Sequence, residues 1–204
     1  MHEAQRGPRR HAEGKQGMTV RRLAAVLVTA VVAAGALTGC GGKSWEKDCT
    51  TSKDGVIECT PEQRPQAREV TGELLDGGTY DVATDRGKVV VVNFWGSWCN
   101  PCRAEADDLE QTYQATKAQN VTFIGVNSRD DRDSAKAFEK GRVTYPSIYD
   151  PNGNVALKFD VTQVSTPATL ILDRQGRIAA AIRKSTTIAQ LKPVVERIAA
   201  EGTG

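Results

Sequence analysis

The sequence predicts an α/β fold, with a central mixed β-sheet flanked by helices on both faces. Three observations support this prediction. Strand-like and helix-like segments alternate through residues 69–140, a hairpin pattern followed by a helix closes the chain, and two cysteines stand where a buried strand passes into a helix. Alternation favours parallel strands and a hairpin adds antiparallel ones, so both kinds are expected in one sheet.

The segment around this cysteine pair predicts the first strand–helix unit. Residues 88–93 are rich in valine, which is typical of a buried strand. After them, apolar residues recur on one face of a helix that we expect over residues 101–117; they are Cys102, Ala106, Leu109 and Tyr113. Unpaired amide groups and the helix dipole favour negative charge at a helix N-terminus, so a cysteine there should have a lowered pKa.

The other elements follow from the same patterns. A short strand is expected at residues 69–74, before the cysteine segment, and a buried strand at 121–127, after it. An extended segment is expected at 143–150 and a hairpin within 168–182. Helices are expected at 133–140, 155–159 and 188–200.

Residues 1–39 are expected to form a bacterial export signal outside the fold. An arginine pair at positions 21 and 22 precedes an uncharged run that is too short and too weakly apolar for a comfortable membrane-spanning helix. The run ends in Leu37-Thr38-Gly39-Cys40, which resembles the lipobox of bacterial lipoproteins. That resemblance implies cleavage before Cys40 and a lipid on this cysteine. An ordinary signal peptide or an uncleaved anchor is the alternative, and Met18 is a candidate for the true start.

Composition excludes several classes of function. The leader holds six of the 27 Lys and Arg residues and two of the 25 Asp and Glu residues, so the remainder carries 21 and 23 and a net charge of −2. This balance indicates no nucleic-acid-binding surface. Both histidines and both methionines also lie in the leader. The remainder therefore has no Ser-His-Asp or Cys-His catalytic apparatus, no His-ligated zinc and no axial His or Met haem ligand. We expect neither a metal nor another cofactor, which leaves thiol chemistry.

With Cys40 assigned to lipid, four cysteines remain as two close pairs, Cys49/Cys59 and Cys99/Cys102. In an exported protein such pairs persist as disulfides. Residues 40–67 are polar and are expected to form a flexible, lipid-anchored tether before a folded domain at 68–204. A Cys49–Cys59 disulfide would be a local staple in that tether; a second redox pair and unpaired thiols are the alternatives.

The run Trp98-Cys99-Asn100-Pro101-Cys102, with Thr166-Pro167 before a later strand, resembles the thioredoxin superfamily. The best match is the group of TlpA/ResA-like membrane-attached thiol-disulfide oxidoreductases, with which residues 87–95, 102–105, 145–150 and 166–169 also agree. The sequence is most similar to actinobacterial members of cytochrome c maturation systems. This resemblance implies a thioredoxin-like fold over residues 68–200.

The resemblance also implies roles for individual residues. Cys99 is expected to be the exposed nucleophile and Cys102 the buried thiol that resolves the mixed disulfide. Pro167 is expected to follow a cis peptide bond and to face the disulfide, an ordinary trans turn proline being the alternative. The expected substrate-binding residues are Trp98, Asn100, Pro101, Thr166 and Pro167.

Glu105 matches the carboxylate that this group places beside its active-site cysteines. It follows Cys102 by three residues, on the same helix face, and like-charge repulsion from it would raise the pKa of the thiol and favour electron donation. Asn93 stands where thioredoxin carries a buried acid; because an amide cannot accept a proton, Glu105 is the candidate acceptor. Asp107 replaces a proline that often kinks this helix in relatives. The alternative for Glu105 is a surface glutamate whose charge only interacts favourably with the N-terminal helix dipole.

We therefore expect a lipid-anchored, monomeric thiol-disulfide oxidoreductase at the outer face of the cytoplasmic membrane. The resemblance favours reduction of protein disulfides, with apocytochrome c as a candidate client and a membrane protein as the electron donor. A disulfide-forming oxidase is the alternative, although the histidine of strongly oxidising members is absent between the cysteines. A non-enzymatic binding lipoprotein, a zinc site from four cysteines and a peroxidase of similar fold are less favoured.

Overall fold

The computed structural model describes residues 45–160 and 165–202. These residues belong to one compact unit. The expected leader, residues 1–39, and the expected lipid attachment site, Cys40, lie outside the described residues.

The described part of the chain forms nine strands and four helices. The strands are β1 (Thr50–Thr51), β2 (Val56–Glu58), β3 (Thr71–Glu73), β4 (Thr79–Asp81), β5 (Val89–Trp95), β6 (Val121–Ser128), β7 (Ser147–Asp150), β8 (Ala168–Leu172) and β9 (Ile178–Ile182). The helices are α1 (Asn100–Thr116), α2 (Arg132–Glu139), α3 (Asn154–Leu157) and α4 (Ile188–Ala200). Short 3-10 turns cover Trp45–Asp48, Val82–Asp85 and Lys117–Gln119.

Seven strands form one mixed sheet in the order β1-β2-β9-β8-β5-β6-β7. The central strand β5 pairs in parallel with β6 and antiparallel with β8, while β3 and β4 form a separate two-stranded ribbon. The mixed sheet and its flanking helices confirm the predicted fold class.

Strand β5 is buried along its whole length, and its alternating side chains divide the core into two layers. On one face, Val91 belongs to a cluster with Leu109 of α1 and Leu191 of α4. On the other face, Phe94 packs against Phe159, which follows α3, with ring centroids 5.6 Å apart. Helices therefore cover both faces at the end of β5, where the cysteine segment begins.

The expectation of a flexible tether over residues 40–67 is wrong for its described part, residues 45–67. Strand β2 pairs antiparallel with β9, placing Val56 opposite Ile182, and the Cys59 amide donates to the Ala179 carbonyl at 2.9 Å. Backbone hydrogen bonds hold β2 in the sheet, and its short apolar run lies among polar residues, so the sequence pattern did not reveal the strand. The folded region thus begins well before residue 68.

Two side-chain features fasten this segment to the fold. Cys49 and Cys59 form a disulfide with an Sγ–Sγ distance of 2.01 Å. Arg64, whose side chain is 4% exposed, donates to both carboxylate oxygens of Glu201 at 2.5 and 2.7 Å and to Asp173 at 3.4 Å. The disulfide is therefore a staple within the edge of the folded sheet rather than a shortening of a tether.

We expect the double substitution Cys49→Ser and Cys59→Ser to lower the free energy of unfolding by about 3 kcal/mol, because the ten-residue loop regains its entropy in the unfolded chain. Urea denaturation of both proteins measures the change. Hydrogen exchange should also become faster at the β1 and β2 amides. An unchanged urea midpoint would contradict this role of the disulfide.

Candidate active site

The second disulfide, between Cys99 and Cys102, lies where β5 leads into α1. Its sulfur atoms are 2.07 Å apart. Cys99 is the N-cap of α1, and its Sγ accepts a hydrogen bond from the Cys102 amide at 3.2 Å. A Cys99 thiolate would therefore meet both the positive end of the helix dipole and a backbone donor, which favour the charged form.

The expected contrast between an exposed Cys99 and a buried Cys102 is wrong for the disulfide form. Cys99 is 3% exposed and Cys102 is 2% exposed, and both belong to a small core cluster with Trp95. Cys99 is covered because its Sγ lies 3.8 Å from the carbonyl oxygen of Thr166, on a loop distant in sequence.

That loop contains the expected proline. The Thr166–Pro167 peptide bond is cis, and the loop leads directly into β8. Since Thr166 O lies against Cys99 Sγ, the structure brings together two segments that are 67 positions apart. In the sequence, only the family resemblance connects these two segments.

Trp98, Asn100 and Pro101 lie on the surface beside the disulfide. Asn100 and Pro101 are exposed in the first turn of α1, and Trp98 is 39% exposed. The Trp98 indole donates to the Ser128 carbonyl at 3.3 Å, and a Cβ on Gly96 would lie 2.4 Å from its Nε1 atom. Glycine at position 96 therefore allows the indole to lie against the backbone, leaving part of the ring available for contact.

Asp130 supports the segment before Cys99 and was not singled out from the sequence. It accepts hydrogen bonds from the Ser97 amide at 2.5 Å, the Ser97 hydroxyl at 2.8 Å and the Asn127 amide group at 2.8 Å. Only the fold brings the end of β6 next to the end of β5, so no local sequence signal could have identified this contact. Asp130 thereby fixes the position of Ser97, two residues before Cys99.

Glu105 is buried, with 1% of its surface exposed. One carboxylate oxygen accepts from Asn93 Nδ2 at 3.0 Å, and the other accepts from the Thr186 amide at 2.8 Å. Burial raises the pKa of Glu105 to about 7, against the lowering effect of these hydrogen bonds, and the charge of Asp108 adds to the rise. This burial excludes the alternative in which Glu105 is a surface residue that only interacts with the helix dipole.

The acidic residues of α1 also fasten the start of α4. Asp108 accepts from the amide of Ile188, the first residue of α4, at 2.9 Å, close to the Glu105–Thr186 contact. Asp107 lies within a helix that continues from Asn100 to Thr116, and it forms an exposed ion pair with Arg142 at 3.7 Å. The four carboxylates of this helix therefore differ in use: Glu105, Asp108 and Glu110, which accepts from the Thr144 amide at 2.9 Å, bind backbone amides, whereas Asp107 faces solvent.

The described ranges contain no group of three or more His, Cys, Asp or Glu side chains arranged to hold a metal ion. Within the same ranges, none of the helices combines the length and apolar character needed to cross a bilayer. The groups that the structure places at the site are the disulfide, the loop around Pro167 and the buried carboxylate of Glu105.

The sequence is similar to a known protein family and to curated relatives. The model of the AhpC/TSA family matches residues 64–181. The thiol-disulfide oxidoreductase ResA of Geobacillus kaustophilus is 30% identical over 125 residues, which are 61% of this chain and 71% of that protein.

Two solved structures are similar over most of their length. The secreted thiol-disulfide isomerase of Corynebacterium glutamicum superposes with a TM-score of 0.68 and 32% identity, covering 75% of this chain and 98% of that one. The DsbF homologue of Corynebacterium diphtheriae superposes with a TM-score of 0.65 and 33% identity, covering 78% and 96%. The chain therefore belongs to the AhpC/TSA family of thioredoxin-like proteins and is an extracytoplasmic thiol-disulfide oxidoreductase.

Proposed function

We propose that this protein reduces disulfides in exported proteins, with Cys99 as the attacking thiol and Cys102 as the resolving thiol. The observation that carries the proposal is the position of Cys99, at the N-terminus of α1 and 3.8 Å from the carbonyl of the cis Thr166–Pro167 bond. A helix N-terminus activates the thiolate, and the adjoining loop offers backbone groups to a polypeptide.

The reaction begins with the dithiol form. The Cys99 thiolate attacks one sulfur of the client disulfide, forming a Cys99–client bond and releasing the other client sulfur as a thiolate, which takes a proton. Cys102, once deprotonated, attacks Cys99 Sγ and releases the second client thiolate. Two electrons pass to the client, and the Cys99–Cys102 disulfide remains. A membrane protein that donates two electrons returns the pair to the dithiol form.

We assign client contact to the surface around the disulfide. The partly exposed indole of Trp98 offers an apolar contact, and the exposed first turn of α1, with Asn100 and Pro101, borders the reacting sulfur. On the other side of Cys99, half-buried Thr166 presents its carbonyl oxygen, and buried Pro167 holds that backbone in place. Such contacts recognise an extended chain next to a cysteine, as an unfolded apocytochrome c presents, and we propose this client class on the sequence resemblance.

Glu105 acts through its charge in this proposal. Both of its oxygens are engaged by fixed N–H donors, from Asn93 and Thr186, so the carboxylate is held in place one helical turn beyond Cys102. A negative charge there disfavours the Cys102 thiolate, which makes the dithiol the better electron donor.

The same proposal includes attachment to the membrane through a lipid on Cys40. The basis is the Leu37–Cys40 run with the uncharged segment before it. Labelled palmitate should be incorporated into the wild-type protein expressed in a lipoprotein-processing host, and Cys40→Ser should abolish the label and release the protein into the soluble fraction. Equal labelling of the variant would exclude this anchor.

We expect Cys99→Ser to abolish insulin reduction, because the thiol that attacks the client disulfide is then missing. Cys102→Ser should instead accumulate mixed disulfides with client proteins, since the Cys99 adduct cannot be resolved; their identification by mass spectrometry names the clients. The matched control is the Cys49→Ser, Cys59→Ser double variant. Under assay conditions in which it remains folded, this variant should keep wild-type activity. Full insulin reduction by Cys99→Ser would refute the assignment.

The reduction potential of the Cys99–Cys102 pair decides between reduction and the alternative, disulfide formation. We expect a value more negative than about −180 mV, the range of proteins that donate electrons. Equilibration with glutathione buffers, followed by alkylation, measures it. A more positive value would favour the oxidase.

Glu105 should impose a pH dependence on stability. Its pKa is near 7 in the folded protein and 4.5 in the reference state, so between these values the folded state keeps a proton that the unfolded chain releases. Stability therefore falls as pH rises from about 4.5 to 7, by on the order of 3 kcal/mol from this group. Urea denaturation of the oxidised protein across this range should show a shallower decline in Glu105→Gln. Asp133→Asn, an exposed substitution on α2, should match wild type, and an unchanged slope in Glu105→Gln would contradict the prediction.

A further inference from the structure

A second, half-buried carboxylate lies near the disulfide, on a different element from Glu105. Glu139 is the last residue of α2, and its Oε1 atom accepts a hydrogen bond from the Ser147 hydroxyl at 2.5 Å. The Ser147 oxygen in turn accepts from Trp95 Nε1 at 3.1 Å. Trp95 ends β5 and shares a core cluster with Cys102, so this chain of hydrogen bonds runs from α2 to the surroundings of the resolving cysteine.

The backbone of β6 makes room for this network. A Cβ at Gly125 would lie 2.0 Å from Ser147 Oγ and 2.8 Å from Trp95 Nε1. Any larger residue at position 125 would displace the serine or the indole. The close approach at Gly125 therefore serves the hydrogen bonds that hold Glu139.

Two cavities meet at Glu139. The inner one, of about 10 Å³, is lined by Cys102 and Trp95 together with Glu139 and Tyr145, which is about the space of one water molecule. The outer one is a surface groove of about 580 Å³, which Glu139 and Tyr145 also line, along with the exposed residue Lys140. Glu139 thus lies between the cavity at Cys102 and the open groove.

We propose that Glu139 is the proton-relay residue for Cys102, accepting the thiol proton across the inner cavity and releasing it into the outer groove. This inference rests on the proposed resolving role of Cys102. A client joined to Cys99 covers the surface around the disulfide, so the proton of Cys102 needs another path to solvent. Glu105 is less suited to this step because fixed amide N–H groups occupy both of its oxygens, whereas the described residues give Glu139 one hydrogen-bond donor, Ser147.

The charges around Glu139 are compatible with the relay. Burial raises the pKa of its carboxyl to about 7, the Ser147 hydrogen bond opposes the rise, and the charge of Asp76 on the β3–β4 turn adds to it. Lys136 and Lys140 line the outer groove from α2 and its end, and Tyr145, whose pKa burial also raises, stays neutral. A carboxyl that titrates near neutral pH both accepts and releases a proton readily.

The step balances as follows. Cys102 S–H transfers its proton to the Glu139 carboxylate, and the resulting thiolate attacks Cys99 Sγ. The Cys99–client bond breaks, and the client leaves with the bonding electron pair as a thiolate. Glu139 then loses its proton to water in the outer groove, and the protein retains the Cys99–Cys102 disulfide.

The test separates the two halves of the reaction. The dithiol protein is mixed with a peptide disulfide whose two thiols carry different fluorophores, and the release of each is followed by stopped flow from pH 5 to 9. In Glu139→Gln the first release should stay within about twofold of wild type, while the second slows by about 10- to 100-fold and loses its inflection near pH 7. Asp133→Asn, on the same helix, should keep both rates.

A second variant guards against a purely structural effect. Glu139→Ala should show the same slow second release, and added formate, which fits the outer groove, should restore it in proportion to its concentration, without changing Asp133→Asn. A second release that keeps its wild-type rate and pH profile in Glu139→Gln, equal slowing of both releases, or no rescue by formate would overturn the relay. If wild type itself releases neither thiol, the proposed reductase function fails first.

Discussion

The antiparallel pairing of β5 with β8 is the constraint on which the site depends. Phe94 pairs with Ala168, so the chain that leaves β5 toward Cys99 runs beside the chain that enters β8 from the cis Thr166–Pro167 bond. A slip of one residue in this register would reverse the faces of the side chains on β8 and move the loop away from the sulfur. The chemistry of Cys99 therefore rests on backbone hydrogen bonds between two central, buried strands.

Burial gives the two carboxylates near Cys102 similar pKa values, but their hydrogen-bond partners differ. Burial raises the pKa of both Glu105 and Glu139 to about 7. Glu105 binds two N–H donors held by β5 and the start of α4, which favours a fixed charge, whereas Glu139 binds one hydroxyl at the boundary of an open groove. Similar titration thus accompanies the two separate roles that we propose, one electrostatic and one in proton transfer.

The segment before residue 68 completes the sheet at the edge opposite β7. Strand β2 covers β9, the Cys49–Cys59 disulfide closes the hairpin, and Arg64 reaches the end of α4 at Glu201. An uncovered β9 would expose a row of unpaired backbone groups to other chains, which is a liability outside the cell. The Cys49–Cys59 disulfide therefore contributes to the fold at a distance from the reacting Cys99–Cys102 pair.

The sequence by itself determined the α/β class, the helix at residues 188–200, the hairpin and the cysteine pair at a strand–helix junction, because valine runs, helical periodicity and turn residues act locally. The family resemblance pointed to Glu105, and its spacing from Cys102 placed it on the same helix face. Long-range packing alone brings residues 45–67 into the sheet, places the Thr166 carbonyl against Cys99, sets Asp130 against Ser97 and puts Glu139 at the cavity beside Cys102. These contacts join residues far apart in the chain, and their energy comes from backbone pairing and desolvation, which no local pattern of side chains records.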